Sequence, residues 1–264
     1  MELTNLTFPK TEQEQLKLLN CLFTDWYDEA KNKIFHDGRT ADDIVFDGFY
    51  PFFSQQKIKV LFIGRESLGL TGDHYLNLLH YLYTQNQKIG SKSLNQAQFH
   101  ARMFQLAYAL NNPNCSWNDI PSAQDIAKTF ATSSGISFAF MNLSKLSNES
   151  EEWVVDWKLV DSFTSAFKDC ETNLFNKEIE IINPDIIISM NLERRLASLG
   201  ELGVINYGNK ASYFRLTCGN RKILLMDLFH FSAINKSSEE DFYMPVLQGI
   251  KDHYWEVINL EFHF

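Results

Sequence analysis

The chain has 264 residues, 45% of them hydrophobic and 22% charged, so it is long enough to bury a core without disulfides. Its formal net charge of −9 counts against retention on nucleic acid by charge alone, because lysine and arginine contacts to phosphates supply most non-specific affinity. The four cysteines lie far apart without a CxxC pair, which argues against structural zinc or an iron–sulfur cluster, and no other cofactor is indicated.

The N-terminus lacks the features of a targeting segment. No basic stretch is followed by an apolar run, and nowhere do about 18 apolar residues follow one another. The sequence therefore predicts neither a signal peptide nor a membrane span, and we expect a cytoplasmic protein without a membrane partner. Nothing in the sequence indicates the oligomeric state.

A long amphipathic helix is predicted near the N-terminus. Thr11 and Glu14 have the spacing of a capping box, and apolar residues then recur at steps of three and four as far as Ile34. Asp37 and Gly38 are a typical helix stop. We expect a helical extension over residues 1–40, preceding the rest of a single domain that spans residues 1–264.

Three apolar runs have the composition of strands that are covered on both faces. They comprise residues 58–63, 136–142 and 185–190. Helical patterns lie between them, at residues 74–83, 99–110 and 151–175. Strands that alternate with helices in this way predict crossover connections and a parallel sheet.

The C-terminal part predicts a hairpin and a closing helix. Residues 212–217 and 222–229 flank Gly219 and Asn220, which form a hairpin turn signal, and residues 239–258 have a helical pattern. The predicted fold class is α/β, a three-layer α/β/α sandwich whose central, mostly parallel sheet has about four to five strands.

Polar side chains follow each predicted strand, and in open parallel sheets ligands bind outside these carboxyl ends. Gly64, Arg65, Glu66 and Ser67 follow the first strand, Asn142 ends the second, Asn191 follows the third, and Asp227 to Ser232 follow the last. Each side chain also has an ordinary structural interpretation, such as a helix cap, a turn or a core histidine. Their joint arrangement at several strand ends favours a functional site.

These segments resemble the motifs of the uracil-DNA glycosylase superfamily. "GRESLG", "FMNLSK" and "HFSAIN" stand where that family has its first motif, its middle asparagine and its late His-Pro-Ser loop. "NPDIIISM" occupies the place of the strand before the late loop, and the similarity covers roughly residues 45–255. The resemblance implies a glycosylase-like α/β domain, base excision in DNA repair, and DNA as a partner.

The resemblance also implies roles for individual residues. Glu66 matches the group that positions the attacking water, Asn142 the amide that reads an extruded base, and His230 the imidazole beside the carbonyl oxygen of the base. Ile234 matches the apolar wedge that fills the space of a flipped nucleotide. The expected substrate-binding group comprises Gly64, Arg65, Ser67, Ser232 and Ile234.

The chain departs from the family pattern in three respects. Glu66 is one methylene longer than the aspartate of the most active branch, no proline follows it, and "HFS" lacks the proline of the late loop. The aromatic residue that stacks on the base is not placed by the sequence. Phe49, Tyr50 and Tyr75 are the candidates.

Arg65 has two interpretations. The glycines that flank this segment allow a tight turn close to a ligand. Arg65 is then available either for a phosphate group or for a structural ion pair, and the ion pair is the favoured interpretation.

Two other functions remain open. A Gly-Asp-Ser-type serine hydrolase or esterase would use Ser67 as nucleophile with Asn142, and with Asp227 and His230 as the pair that activates the serine. Alternatively, a glycosylase-like scaffold binds a nucleotide or a protein without turnover. The sequence specifies neither the base nor the strandedness of a DNA substrate.

Overall fold

The structure of the protein is a computed structural model that describes residues 4, 6–113, 115–150 and 154–254. Within these ranges, helices and strands alternate along the chain as the sequence predicts. In the same part of the chain, no helix is long and apolar enough to cross a membrane.

The strands form one large sheet and two small ribbons. In chain order they are β1 (Gly48–Phe49), β2 (Val60–Gly64), β3 (Ser67–Leu68), β4 (Lys88–Ile89), β5 (Lys92–Ser93), β6 (Ala139–Asn142), β7 (Ser147–Asn148), β8 (Ile186–Met190), β9 (Leu202–Tyr207), β10 (Ala211–Cys218) and β11 (Arg221–Leu228). The large sheet has seven strands in the order β1-β6-β2-β8-β11-β10-β9, while β3 pairs with β7 and β4 with β5.

Helices cover both faces of the large sheet. They are α1 (Gln13–Ala30), α2 (Tyr75–Tyr81), α3 (Gln98–Asn111), α4 (Ala123–Ala127), α5 (Trp157–Ala166), α6 (Leu174–Ile182) and α7 (Met244–His253). Alternate residues of β2 face opposite layers: Phe62 packs in the core beneath α2, α3, α4 and α7, and Leu61 in the core beneath α1, α5 and α6. This burial on both sides explains why β2 is a continuous apolar run.

The centre of the sheet is parallel, as the sequence predicts. β6, β2, β8 and β11 are parallel neighbours, whereas β1, β10 and β9 are antiparallel additions at the two edges. The predicted number of four to five strands is therefore too low. β1 has only two residues and β9 is largely exposed, so neither gives the continuous apolar run by which the inner strands are identified.

The order of the parallel strands gives the sheet a topological switch point at their carboxyl ends. From β2 the chain passes to β6 on one side, and the next parallel strand, β8, lies on the other side of β2. Connections that leave a sheet in opposite directions separate at such a switch point, and ligands bind there. The segment that begins at Arg65 starts at this position.

The hairpin near the C-terminus is confirmed. β10 and β11 pair antiparallel, with Cys218 opposite Arg221 across the turn, and Gly219 has the left-handed φ of +54° that such a turn favours. The closing helix begins with a π-helical turn, Glu239–Tyr243, before α7. The last four residues of the predicted helix lie outside the described part of the chain.

The N-terminal helix differs from its prediction. It begins at Gln13 without a side-chain cap and ends at Ala30, and Ile34, which the pattern places on the buried face, is 81% exposed. Its apolar face packs in the core beneath one face of the sheet, so the helix is part of a layer of the sandwich.

The predicted capping box is replaced by a different carboxylate contact. Glu12 is fully buried and accepts hydrogen bonds from the backbone N–H groups of Phe52 (2.9 Å) and Ser54 (2.7 Å). It therefore joins the start of α1 to the segment that leads from β1 into β2.

We expect Glu12→Ala to lower the free energy of unfolding by about 2–4 kcal/mol, because two buried N–H groups lose a charged acceptor. Glu14→Ala is the matched control, since Glu14 is exposed and its ion pair with Lys17 is long, at 4.0 Å. Urea unfolding of the two variants measures the difference. Equal effects would show that the contact of Glu12 does not stabilise the fold.

The helix predicted over residues 151–175 is divided in two. α5 begins after Asp156, whose carboxylate caps it, and α6 begins after Asn173, whose side chain caps it. The polar run between the helices supplies the second cap and ends the first helix. Trp153, which the pattern places on the buried face, lies outside the described residues.

Candidate functional site

The ends of β2 and β6 meet at the carboxyl edge of the sheet. Gly64 lies opposite Asn142 in the parallel register. A Cβ atom at position 64 would lie 2.7 Å from Asn142 Oδ1 and 2.8 Å from the ring of Phe140, so only glycine allows this approach. Within the described residues, the buried Nδ2 of Asn142 has no hydrogen-bond partner. The side-chain amide of Asn142 therefore has a donor that no described residue satisfies.

A buried charge cluster that the sequence analysis missed supports Asn142. Asp47 accepts the backbone N–H of Asn142 through Oδ2 (2.7 Å) and binds Lys145 Nζ through Oδ1 (2.7 Å). Lys145 also lies 2.8 Å from Glu178, and the side chains of Asp47, Lys145 and Glu178 are all fully buried. Burial raises the pKa of Glu178 well above its ordinary value. Asp47, Lys145 and Glu178 are far apart along the chain, so a local sequence pattern does not reveal the cluster.

Glu66 lies next to the start of α5. Its Oε1 accepts the backbone N–H of Asp156 (2.9 Å), and its Oε2 is buried without a hydrogen-bond partner in the described ranges. Burial raises the pKa of Glu66, while the Asp156 N–H, the charge of Arg65 and the Asn148 side chain oppose this effect. A partly desolvated carboxylate with one free oxygen is suited to bind and activate a water molecule.

Ser67 follows in the short strand β3, opposite Ser147. It is only 3% exposed, and its hydroxyl has no partner among the residues that the structure describes. Arg65, Glu66, Ser67 and Asn142 thus each have a buried polar atom without a protein partner. Because such atoms are costly and uncommon, their concentration at one edge indicates a place for a ligand or bound water.

His230 has a defined tautomer. The backbone N–H of Ser232 points to His230 Nδ1 (3.3 Å) and the Ser232 hydroxyl lies 2.7 Å from the same atom, so Nδ1 is the acceptor and Nε2 carries the proton. Burial lowers the pKa of His230 to about 3, and the positive charges of Arg65 and Arg102 act in the same direction. His230 is therefore a neutral hydrogen-bond donor at physiological pH.

A buried arginine holds the loop that contains His230. Arg102 of α3 is 2% exposed and donates to the carbonyl oxygens of Phe231, Ala233 and Lys236, at 2.5, 3.2 and 2.8 Å. Its Nε also donates to Ser238 Oγ (3.2 Å). These contacts restrict the loop, which has no proline between His230 and Ser232. Arg102 lies in a predicted helix, and the sequence pattern does not indicate that it binds this loop.

The same loop presents two of the predicted substrate-binding residues to solvent. Ile234 is 77% exposed, although it is apolar, and Ser232 is also exposed. The N–H of Ala233 closes a turn on the carbonyl oxygen of His230 (2.8 Å), which places Ile234 just beyond this turn. An exposed isoleucine on a restrained loop has the position expected of a wedge.

The predicted stacking residues are mostly unavailable. Phe49 and Tyr50 are buried in separate cores, so neither is placed to stack on a base. Tyr75 is 6% exposed and stacks on Phe140, with ring centroids 4.6 Å apart. Phe99 is half-buried and lies 5.5 Å from the His230 ring, which makes it a better candidate. The sequence pattern assigns Phe99 to a helix face and does not indicate that it lies beside His230.

Arg65 has a packing contact at this edge of the sheet. Among the described residues, no ion pair of its guanidinium is formed, so the ion pair stays a prediction. Instead, the guanidinium lies over the ring of Trp157, 4.7 Å from its centroid.

Asp227 does not orient His230. Its carboxylate accepts the Ser189 hydroxyl (2.7 Å) and the backbone N–H groups of Leu192 (3.0 Å) and Glu193 (2.9 Å), so it organises the turn after β8. In the described part of the chain, no hydrogen bond joins Asp227 to His230, whose Nδ1 is occupied by Ser232. The pair that a serine hydrolase would need is therefore not assembled.

Among the residues that the structure describes, one group of side chains has ligand atoms close enough for a metal ion. His36, Asp37 and Asp156 have such atoms within 4.8 Å of one another. However, Asp37 is exposed, and Asp156 Oδ1 already accepts two N–H groups at the start of α5. This group is explained by its helix-capping contact.

No model of a known protein family, no curated protein and no solved structure matches this chain. The candidate site therefore depends on its own geometry.

Proposed function

We propose that the protein hydrolyses the N-glycosidic bond of a uracil-like or damaged base in DNA. The observation that supports this function best is the geometry at His230, whose Nδ1 accepts the Ser232 N–H. Burial lowers the pKa of this imidazole, so it is neutral and donates through its one N–H group, at Nε2. As the glycosidic bond breaks, negative charge develops on the departing base. A fixed donor stabilises that charge without transferring a proton.

Glu66 supplies the second requirement, which is a water molecule directed at the sugar carbon. Its Oε1 is held by the Asp156 N–H, and its Oε2, which has no hydrogen-bond partner in the described ranges, is the atom that would accept a hydrogen bond from water. Since the pKa of Glu66 is raised, the carboxylate is also a stronger base than an exposed glutamate.

Asn142 supplies recognition of the base. Its backbone is fixed by Asp47, and its Nδ2 is a buried donor that a carbonyl oxygen of the base can satisfy. A site built around an unsatisfied polar atom discriminates strongly against ligands that leave the atom unpaired. The exposed Ile234 supports DNA as the substrate, because a reacting base must first leave the stack.

Glu66→Gln tests the role of the carboxylate. We expect single-turnover base release to fall by about 100-fold or more, because glutamine still accepts the Asp156 N–H but cannot act as a base. In the unmodified protein, the rate should fall as the pH drops through the raised pKa of Glu66. The acidic limb should therefore have its midpoint above the ordinary value of 4.5.

Glu149→Gln is the matched control, because Glu149 is an exposed glutamate that accepts from Thr71. We expect an unchanged rate in this variant. Base release that survives Glu66→Gln undiminished would remove Glu66 from the mechanism. A well-folded protein without base release from any substrate would instead favour the binding-only alternative.

A further inference from the structure

Two arginines lie over the same aromatic ring at the carboxyl edge of the sheet. The guanidinium carbons of Arg65 and Arg195 lie 4.7 and 3.7 Å from the centroid of Trp157. Such stacking orients a guanidinium and leaves its N–H groups available at the edges. Their remaining contacts differ.

Arg195 has the acceptor that this geometry requires. Its Nε and Nη2 donate to the two carboxylate oxygens of Asp161 at 2.5 and 2.8 Å, which is a bidentate pair. The Nε of Arg65 is buried without a hydrogen-bond partner in the described part of the chain. Among those residues, the same platform thus holds one guanidinium with a bidentate acceptor and one whose Nε has none.

The position of Arg65 places this unsatisfied guanidinium inside the candidate site. Arg65 directly follows β2 at the switch point of the sheet, and Glu66 is the next residue. Its charge also reaches the late loop, since it helps to lower the pKa of His230. An anion held by Arg65 would therefore lie beside the groups assigned to the reaction.

The carboxylates around Arg65 that the structure describes act on it through their charge. Burial lowers the pKa of Arg65, and the charges of Glu66, Asp227 and Glu193 oppose this effect. Both oxygens of Asp227 are engaged with β8 and the turn after it. The planar, two-pronged donor of Arg65 matches an acceptor with two oxygens that arrives from outside the chain.

We infer that Arg65 binds a phosphate group of the substrate. This inference deepens the proposed function, because the phosphate would be that of a nucleotide whose base occupies the site of Asn142 and His230. The phosphate can belong to a free nucleotide or to a DNA strand, and both present the same pair of oxygens to the guanidinium.

Calorimetric titration tests this inference with deoxyuridine, deoxyuridine 5′-monophosphate and a short single-stranded oligonucleotide that contains uracil. We expect the monophosphate to bind at least about tenfold more tightly than the nucleoside, and Arg65→Met to abolish this preference. Arg65→Lys should retain only part of the preference for the monophosphate. A lysine provides the positive charge but lacks the planar pair of N–H donors of a guanidinium.

Arg194→Gln is the matched control, since Arg194 is 80% exposed and already lies 3.7 Å from Asp161. We expect it to leave the phosphate preference unchanged. An oligonucleotide that binds more tightly than the monophosphate, with the same dependence on Arg65, would identify the phosphate as that of a strand. Oligonucleotide binding no tighter than that of the monophosphate would identify a free nucleotide.

Equal binding of nucleoside and monophosphate, or a preference that survives Arg65→Met, would overturn the inference. Base release in the same samples separates this result from a failure of the proposed function. Phosphate preference that depends on Arg65, without base release, would retain the phosphate site and reject the chemistry. Base release without any phosphate preference would retain the proposed chemistry and reject the phosphate site.

Discussion

Lys145→Met is expected to lower the free energy of unfolding by about 3–5 kcal/mol. The substitution keeps the volume of the side chain but leaves Asp47 and Glu178 fully buried without their cation. Because Asp47 also accepts the N–H of Asn142, we expect the end of β6 to move as well. Denaturant unfolding measures the first effect, and the amide chemical shift of Asn142 reports the second.

Lys177→Met is the control for this substitution. Lys177 forms an exposed pair with Glu180 at the same distance of 2.8 Å, and such pairs contribute at most about 1 kcal/mol. A loss below about 1 kcal/mol in Lys145→Met would show that the buried cluster is not held by its ion pairs.

His230→Ala should reduce the rate of base release by about 100- to 1,000-fold, the range found when one fixed donor to a developing anion is removed. The loss should fall on the chemical step, because the donor meets its full charge only in the transition state. Single-turnover kinetics at saturating substrate measures that step directly.

Ser232→Ala separates the contribution of the His230 imidazole to the rate from that of the Ser232 hydroxyl beside it. The variant loses the hydroxyl but keeps the backbone N–H that fixes Nδ1 as acceptor. We therefore expect a smaller loss than in His230→Ala, of about tenfold or less. Losses of equal size in both variants would show that the Ser232 hydroxyl, and not its N–H, determines the tautomer of His230.

The centre of the fold could be predicted because its determinants are local. β2, β6 and β8 are buried on both faces, so their sequences are continuous apolar runs. Turn-forming residues mark the ends of these runs. The edge strands could not be predicted in this way. β1 has two residues, and β9 is exposed along most of its length.

The start of α1 shows how a tertiary contact overrides a local pattern. Thr11 and Glu14 have the spacing of a capping box, but Glu12 instead binds two N–H groups about 40 residues away. No window of sequence contains both partners of such a contact. The same limit applies to Asp47 and Lys145, which are separated by 98 positions.

The sequence predicts the residues to which the reaction is assigned, but it does not predict the residues that hold or flank them. Glu66, Asn142 and His230 were identified because they follow strands whose ends meet at one edge of the sheet. Arg102 lies within a helical pattern, and only the folded chain shows that it binds the loop of His230. Phe99 was likewise assigned to a helix face, although it contacts His230.

The most direct test of the account is product analysis after incubation of the unmodified protein with DNA that contains uracil, hypoxanthine or xanthine. Mass spectrometry should detect the free base and an equal amount of the abasic strand for at least one substrate, with neither product formed by a variant that combines Glu66→Gln and His230→Ala. Equal amounts of both products from the protein and from the double variant would contradict the account, because the bond would then break without the groups to which the reaction is assigned.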